Sequence, residues 1–161
     1  MSRRPAPLEL GLTVNGEAVT IAVDDEFELL CDVLRDRLQL FGTKTGCREG
    51  MCGSCNVLLD GELVRSCLVL AGQAQGASVV TIEGLTAEGD ARRIQDAFVR
   101  LGAVQCGFCT PGMVVSLTRL LIDQPAPAAE QVLDAMSGNL CRCTGYGKIV
   151  DAVLAIAAKS P

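Results

Sequence analysis

Two periodicities divide the chain. From residue 8 to 23 apolar and polar positions alternate loosely around Asn15-Gly16, a dipeptide suited to the positive-φ positions of a tight hairpin turn. The pattern predicts strands at about Glu9–Val14 and Ala18–Val23. Asp24 and Asp25 are N-cap candidates for the next segment, where Leu30, Val33, Leu34 and Leu38 fall on one helical face. Asn56–Leu59 and Leu63–Ser66 flank Asp60-Gly61 and read as a second hairpin, with Cys67 at the end of its second strand. Ser78–Ile82 reads as a further strand completing the sheet.

Beyond Glu83–Asp90, a stretch of Gly, Thr, Ala and acids that reads as a linker, the period changes to that of helices. Ile94, Ala97, Phe98 and Leu101 form one apolar stripe. Thr110-Pro111 supplies a cap followed by a proline at the first helical position, and Met113, Val114, Leu117, Leu120 and Leu121 continue that helix. Pro125-Ala126-Pro127 breaks it. A short helix is predicted from about Ala128 to Met136, and a last one from about Tyr146 to Ala157 with Ile149, Val153 and Ile156 on one side. The aliphatic and Met stripes read as core. The fold class is therefore α+β: a β-grasp unit with one helix on its sheet, then an all-α unit of four helices.

The link between the first helix and the second hairpin carries the chemistry. Gly46–Cys55 reads Gly-Cys-Arg-Glu-Gly-Met-Cys-Gly-Ser-Cys, and Cys67 follows after eleven residues. Cys47, Cys52 and Cys55 stand in the C-x4-C-x2-C spacing of plant-type 2Fe–2S centres, with Cys67 as the fourth thiolate. Gly46, Gly50 and Gly53 allow positive φ and let backbone N–H groups approach the sulfurs. A four-cysteine zinc site is the competing reading, although structural zinc usually pairs two short knuckles. A disulfide framework needs an oxidising compartment. Cys31, on the predicted helix, fits no ligand spacing and reads as a buried core thiol.

Composition narrows the options. The chain has 161 residues, a net charge of -5 and no basic run, which argues against nucleic acid and anionic membrane surfaces. No stretch approaches the ~20 apolar residues of a membrane span. Ser2-Arg3-Arg4 invites an export reading, but no apolar segment follows it, so a reducing, cytoplasmic setting is expected. Histidine is absent. A Ser/His/Asp or Cys/His nucleophilic site cannot be built from this chain alone, which points to chemistry carried by a cofactor. Two units of about 80 residues would each bury only roughly 60–65% of their unfolded surface, so a metal staple in each makes physical sense of nine cysteines.

The helical half holds a second set, Cys106-Gly107-Phe108-Cys109 and Cys141-Arg142-Cys143. Each pair precedes a predicted helix N-terminus, where free N–H groups and the positive dipole end favour thiolates. By spacing alone these residues could hold a cluster or zinc, and C-x2-C could be a redox pair.

Gln105-Cys106-Gly107-Phe108-Cys109-Thr110-Pro111-Gly112 and Gly138-Asn139-Leu140-Cys141-Arg142-Cys143-Thr144-Gly145-Tyr146 resemble the small iron–sulfur subunit of the molybdenum hydroxylases, the xanthine oxidase family. Gly42-Thr43-Lys44 and Thr81-Ile82-Glu83-Gly84-Leu85 resemble it too, and the likeness runs from about Leu8 to Ala157. Asn56 stands where the family more often has threonine, and Cys31 where it has an aliphatic residue.

The resemblance implies a plant-ferredoxin-like β-grasp domain over residues 1–84, its 2Fe–2S cluster held by Cys47, Cys52, Cys55 and Cys67. It implies a helical 2Fe–2S-binding domain over 85–161, its cluster held by Cys106, Cys109, Cys141 and Cys143. Gln105 and Cys143 match positions that contact molybdopterin in the large subunit. The implied function is single-electron relay from the molybdenum site through both clusters to FAD on a medium subunit, with the whole assembled as a dimer of heterotrimers. The chain itself would carry no catalytic residue. Tyr146 reads as a packing residue anchoring the last helix, and Arg142 as an interface cation or the partner of a helix carboxylate. Two other functions remain open at this point: a free-standing 2Fe–2S electron carrier, and a structural zinc protein.

Overall fold

The computed structural model describes residues 8–24, 27–85 and 89–157. Strand β1 (Leu8–Val14) and strand β2 (Glu17–Val23) form the first hairpin, with Val14 opposite Glu17 and both Asn15 and Gly16 at positive φ. Strands β3 (Asn56–Leu59) and β4 (Glu62–Arg65) form the second, with Asp60 and Gly61 likewise at positive φ. Strand β5 (Ser78–Val80) joins the hairpins, parallel to β1 and antiparallel to β3, so the sheet order is β2-β1-β5-β3-β4.

The helix on this sheet starts as α1 (Leu30–Asp32) and widens into a π turn over Val33–Arg37, where Leu38 N–H reaches the Val33 carbonyl. Leu30, Val33 and Leu34 are buried, whereas the wider turn leaves Leu38 part-exposed. Asp24 does not cap it. Leu29 is the N-cap residue, the first helical N–H goes to the Val69 carbonyl, and Asp24 accepts from Arg37 instead. A neighbouring backbone thus supplies what a capping side chain would have supplied. Asp25 lies outside the described residues.

Three boundaries differ from the sequence reading. Strand β4 ends at Arg65 because the Ser66 N–H and hydroxyl both bond the Cys55 carbonyl. Cys67 therefore sits on a 3-10 turn, Ser66–Leu68, and not at a strand end. Strand β5 stops at Val80, since the Thr81 N–H is taken by the Asn15 side chain and the Thr81 hydroxyl by Glu83. Ile82 then opens the short helix α2 (Ile82–Leu85), so the expected linker is helical at Glu83–Leu85 and again from Gly89; residues 86–88 lie outside the described residues.

Helices α3 (Gly89–Leu101), α4 (Thr110–Asp123), α5 (Ala129–Ala135) and α6 (Gly147–Ala157) make the four-helix half. Helix α3 packs on α4 and α6, and α5 on α4 and α6. Ile94, Phe98, Met113, Leu117, Val132, Met136, Ile149 and Val153 are buried in one core. Leu101, expected on the buried stripe, is 36% exposed. The sheet core is separate and gathers Leu10, Leu12, Val57 and Val79 beneath Leu30, Val33 and Leu34. Strand β3 serves both: the two-residue alternation sends Val57 into the sheet core and Leu58 into the helical one. That double burial seats α4 against β3 and brings the two cysteine sets to one seam.

Candidate metal centres

All nine cysteines are free thiols, so the disulfide framework is not formed. The first loop turns through Arg48, Gly50 and Gly53, all at positive φ, and Gly46 does not share that conformation. Its glycine is needed for another reason: a Cβ there would come 2.9 Å from Cys52 Sγ. The N–H groups of Glu49 and Cys52 both point at Cys47 Sγ at 3.4 Å. Cys47 and Cys52 are half-buried, while Cys55 and Cys67 are buried and pack against Cys31.

These surroundings polarise the thiols in opposite directions. Burial pushes Cys55 up to about 11. At Cys52 burial also opposes ionisation, but hydrogen bonds from Ser54 and Cys47 outweigh it and bring the thiol down to about 7. Burial, with Asp32 adding to it, pushes Cys31 up to about 12. Its Sγ lies 3.7 Å from Asp32 Oδ1.

In the helical half Cys109 occupies the N-cap position of α4, one residue earlier than expected, so Thr110 and Pro111 are the first two helical residues. Burial pushes its thiol up to about 12. The second pair stops one turn short of α6, where Gly145 and Tyr146 both take positive φ. Cys143 Sγ and Cys106 Sγ approach to 3.6 Å, and that contact raises the Cys143 thiol. Thr144 donates from its N–H at 3.4 Å and from its hydroxyl at 3.1 Å to Cys141 Sγ. Burial opposes ionisation of Cys141, but the Thr144 bonds outweigh it and hold the thiol below its usual value. Cys106, Cys109, Cys141 and Cys143 line one cavity of about 170 Å³ together with Phe108, Leu140 and Arg142.

The donor set in each half is all-thiol, with N–H and O–H groups aimed at sulfur, which fits a negatively charged thiolate cluster. Gln105 Nε2 donates to the Cys143 carbonyl at 3.0 Å, so the two residues singled out for a pterin contact are adjacent. Tyr146 does more than pack: its hydroxyl accepts from Cys141 N–H at 2.8 Å and donates to the Asn139 carbonyl at 3.1 Å. Arg142 is exposed, and among the described residues no carboxylate pairs with it.

The sequence reading missed the seam between the two sets. Leu140 N–H donates to the Cys52 carbonyl at 3.0 Å, joining a first-set cysteine to the neighbour of Cys141. Asn139 Nδ2 reaches the Gly53 carbonyl at 3.2 Å, and its Oδ1 accepts from the Ser116 hydroxyl at 2.8 Å. Asn56, the residue that departs from the family's threonine, donates to Ser116 Oγ at 2.7 Å and accepts from Arg65 at 2.9 Å. Gly53 and Gly112 permit the approach: a Cβ on Gly112 would lie 2.2 Å from the Gly53 carbonyl oxygen, and one on Gly53 would lie 2.4 Å from that of Gly138. The position of Gly138-Asn139 just before the second pair was the available signal, whereas Arg65 and Ser116 carry none.

Comparisons with known proteins agree with this architecture. Residues 12–85 match the 2Fe-2S iron-sulfur cluster binding domain family and residues 81–154 the 2Fe-2S binding domain family. The chain is 50% identical over 153 residues to the small subunit of nicotine 6-hydroxylase from Paenarthrobacter nicotinovorans, covering 93% of this chain and 92% of that protein. Quinoline 2-oxidoreductase from Pseudomonas putida 86 contains a chain with a TM-score of 0.88 and 45% identity, covered to 96% on both sides. The aldehyde oxidoreductase from Desulfovibrio desulfuricans ATCC 27774 matches 93% of this chain with 17% of its own, at a TM-score of 0.85 and 46% identity. The chain belongs to the molybdenum hydroxylase, or xanthine oxidase, family, as a small 2Fe–2S electron-transfer subunit.

Proposed function

We propose that this subunit relays single electrons from a molybdopterin-bearing large subunit to an FAD-bearing medium subunit. Cys47, Cys52, Cys55 and Cys67 hold the outer cluster, and Cys106, Cys109, Cys141 and Cys143 hold the inner one. When bound, each 2Fe–2S cluster accepts and returns one electron at a time. The residues of this chain set the conditions: buried Cys55 and Cys67 exclude water on one side, the Glu49 and Cys52 amides stabilise charge on Cys47, and Thr144 does the same for Cys141.

The observation that carries the reading is the seam, which sets the two sulfur sets in series around the Leu140–Cys52 hydrogen bond. A free-standing carrier has no need of that arrangement. The exposed face at Cys106 and Cys143, with Phe108 47% and Leu140 56% exposed, supports contact with the large subunit there. Gln105 and Cys143 meet the pterin from that face. The chain divides at 84/85, within the short helix α2 that follows the last strand, and the working assembly is a dimer of heterotrimers in the cytoplasm. Among the described residues no helix is long and apolar enough to cross a membrane.

The reduced complex is expected to give two distinct 2Fe–2S signals by EPR and about four irons per chain. Cys47→Ser should remove one signal and Cys106→Ser the other. A single signal, or zinc in place of iron, refutes the assignment. Native mass measurement of the complex, with flavin and molybdopterin analysis, tests the partners.

A further inference from the structure

We propose that Arg65 is a positioning residue for electron transfer between the two clusters, acting as a clamp that fixes one cysteine loop against the other. The proposal rests on the two-cluster reading above. The Arg65 guanidinium has three acceptors on different segments. Nε donates to the Gly50 carbonyl at 3.3 Å, inside the first loop. Nη2 donates to the Gly138 carbonyl at 3.0 Å, on the approach to Cys141. Nη1 donates to Asn56 Oδ1 at 2.9 Å, beside Cys55.

Asn56 then extends the clamp through its amide to Ser116 on α4. Arg65 is half-buried, and among the described residues no carboxylate forms an ion pair with it. Its donors go to the seam instead. A planar fork of fixed donors suits three acceptors on separate segments, whereas the single ammonium of lysine does not reproduce that geometry. The fit is close, since a Cβ on Gly138 would come 2.0 Å from Nη2.

What the clamp protects is the Leu140 N–H to Cys52 carbonyl bond at 3.0 Å. That bond makes a nearly continuous bonded route from a thiolate of the first set to the residue next to Cys141. Electron tunnelling falls steeply as such a route opens. The step itself moves one electron from the reduced inner site to the oxidised outer one, with no bond broken and no proton transferred. Oxidation of substrate in the large subunit supplies the electron.

The test uses the purified complex with Arg65→Lys and Arg65→Gln. Iron content, the spin–spin interaction between the two reduced clusters in low-temperature EPR, and hydrogen exchange at the Leu140 amide are measured. Both variants should retain about four irons per chain. Exchange at Leu140 should quicken by about tenfold or more, the scale of a lost charge-assisted hydrogen bond, and the spin–spin interaction should weaken. Arg65→Lys decides between fork and charge: if it matches wild type in both readouts, the proposal is overturned. Loss of iron from both variants also overturns it, because Arg65 is then a residue of assembly. Wild-type complex lacking two signals sinks the two-cluster reading instead, so the two failures are distinguishable.

Discussion

Replacing Gly112 by alanine sets two effects of opposite sign against each other. Gly112 lies in the first turn of α4, and alanine there gains up to about 1 kcal/mol of helix propensity. Against this, the new Cβ would stand 2.2 Å from the Gly53 carbonyl oxygen and 3.1 Å from Ser54 Cα, both backbone atoms of the first cysteine loop. The seam must open by roughly 1 Å, and forcing a methyl into a packed site costs about 1–3 kcal/mol. Opening also strains Asn139 to Gly53 and Leu140 to Cys52, each worth about 1 kcal/mol. The clash therefore wins, with a net loss of about 2–4 kcal/mol. For a chain of this size that lowers the melting midpoint by roughly 5–15 °C, followed by visible cluster absorbance and by far-UV circular dichroism. Gly147→Ala is the control: Gly147 begins α6, lacks positive φ, and a Cβ added there would meet nothing within 4 Å. It should be neutral or stabilising. A Gly112→Ala protein as stable as wild type would refute the close-approach argument.

Other outcomes follow from the thiols and the second loop. In protein stripped of iron by chelation, Cys52, at about 7, should be alkylated at neutral pH well before Cys109, at about 12, as read by mass spectrometry across the neutral range. A depressed value favours the folded thiolate, so the stability Cys52 contributes is present at high pH and is lost as pH falls through about 7. Cys31→Ala should leave iron content unchanged and cost about 1–2 kcal/mol for the cavity, because Cys31 is fully buried and bonded to Asp32. Tyr146→Phe should alter the EPR signal lost in Cys106→Ser while sparing the other, since it strands the Cys141 N–H and the Asn139 carbonyl at a cost of about 1–3 kcal/mol.

The cysteine spacings, both hairpin turns and the helical period of the second half were legible because each depends on residues close in sequence. Asn15-Gly16 and Asp60-Gly61 adopt positive φ as their types suggest. The differences arise where distant backbone answers a local need. Val69 satisfies the start of α1, so Asp24 binds Arg37 instead of capping. Ser66 turns onto the Cys55 carbonyl, so Cys67 leaves the strand. Asn15 and Glu83 claim Thr81, so β5 ends early.

By itself, then, the sequence determined where thiols gather in each half, since cysteine number and spacing are local properties, and its resemblance to the family pointed to 2Fe–2S clusters there. Only the tertiary structure decided how the halves meet. Strand β3 buries Val57 on one side and Leu58 on the other, and that brings α4, Gly53 and Asn139 into contact. Arg65, Asn56, Ser116 and Asn139 come from four separate segments, and no periodicity or spacing links them. Their convergence is a consequence of packing, because a buried polar group must find its partner wherever the fold has placed one.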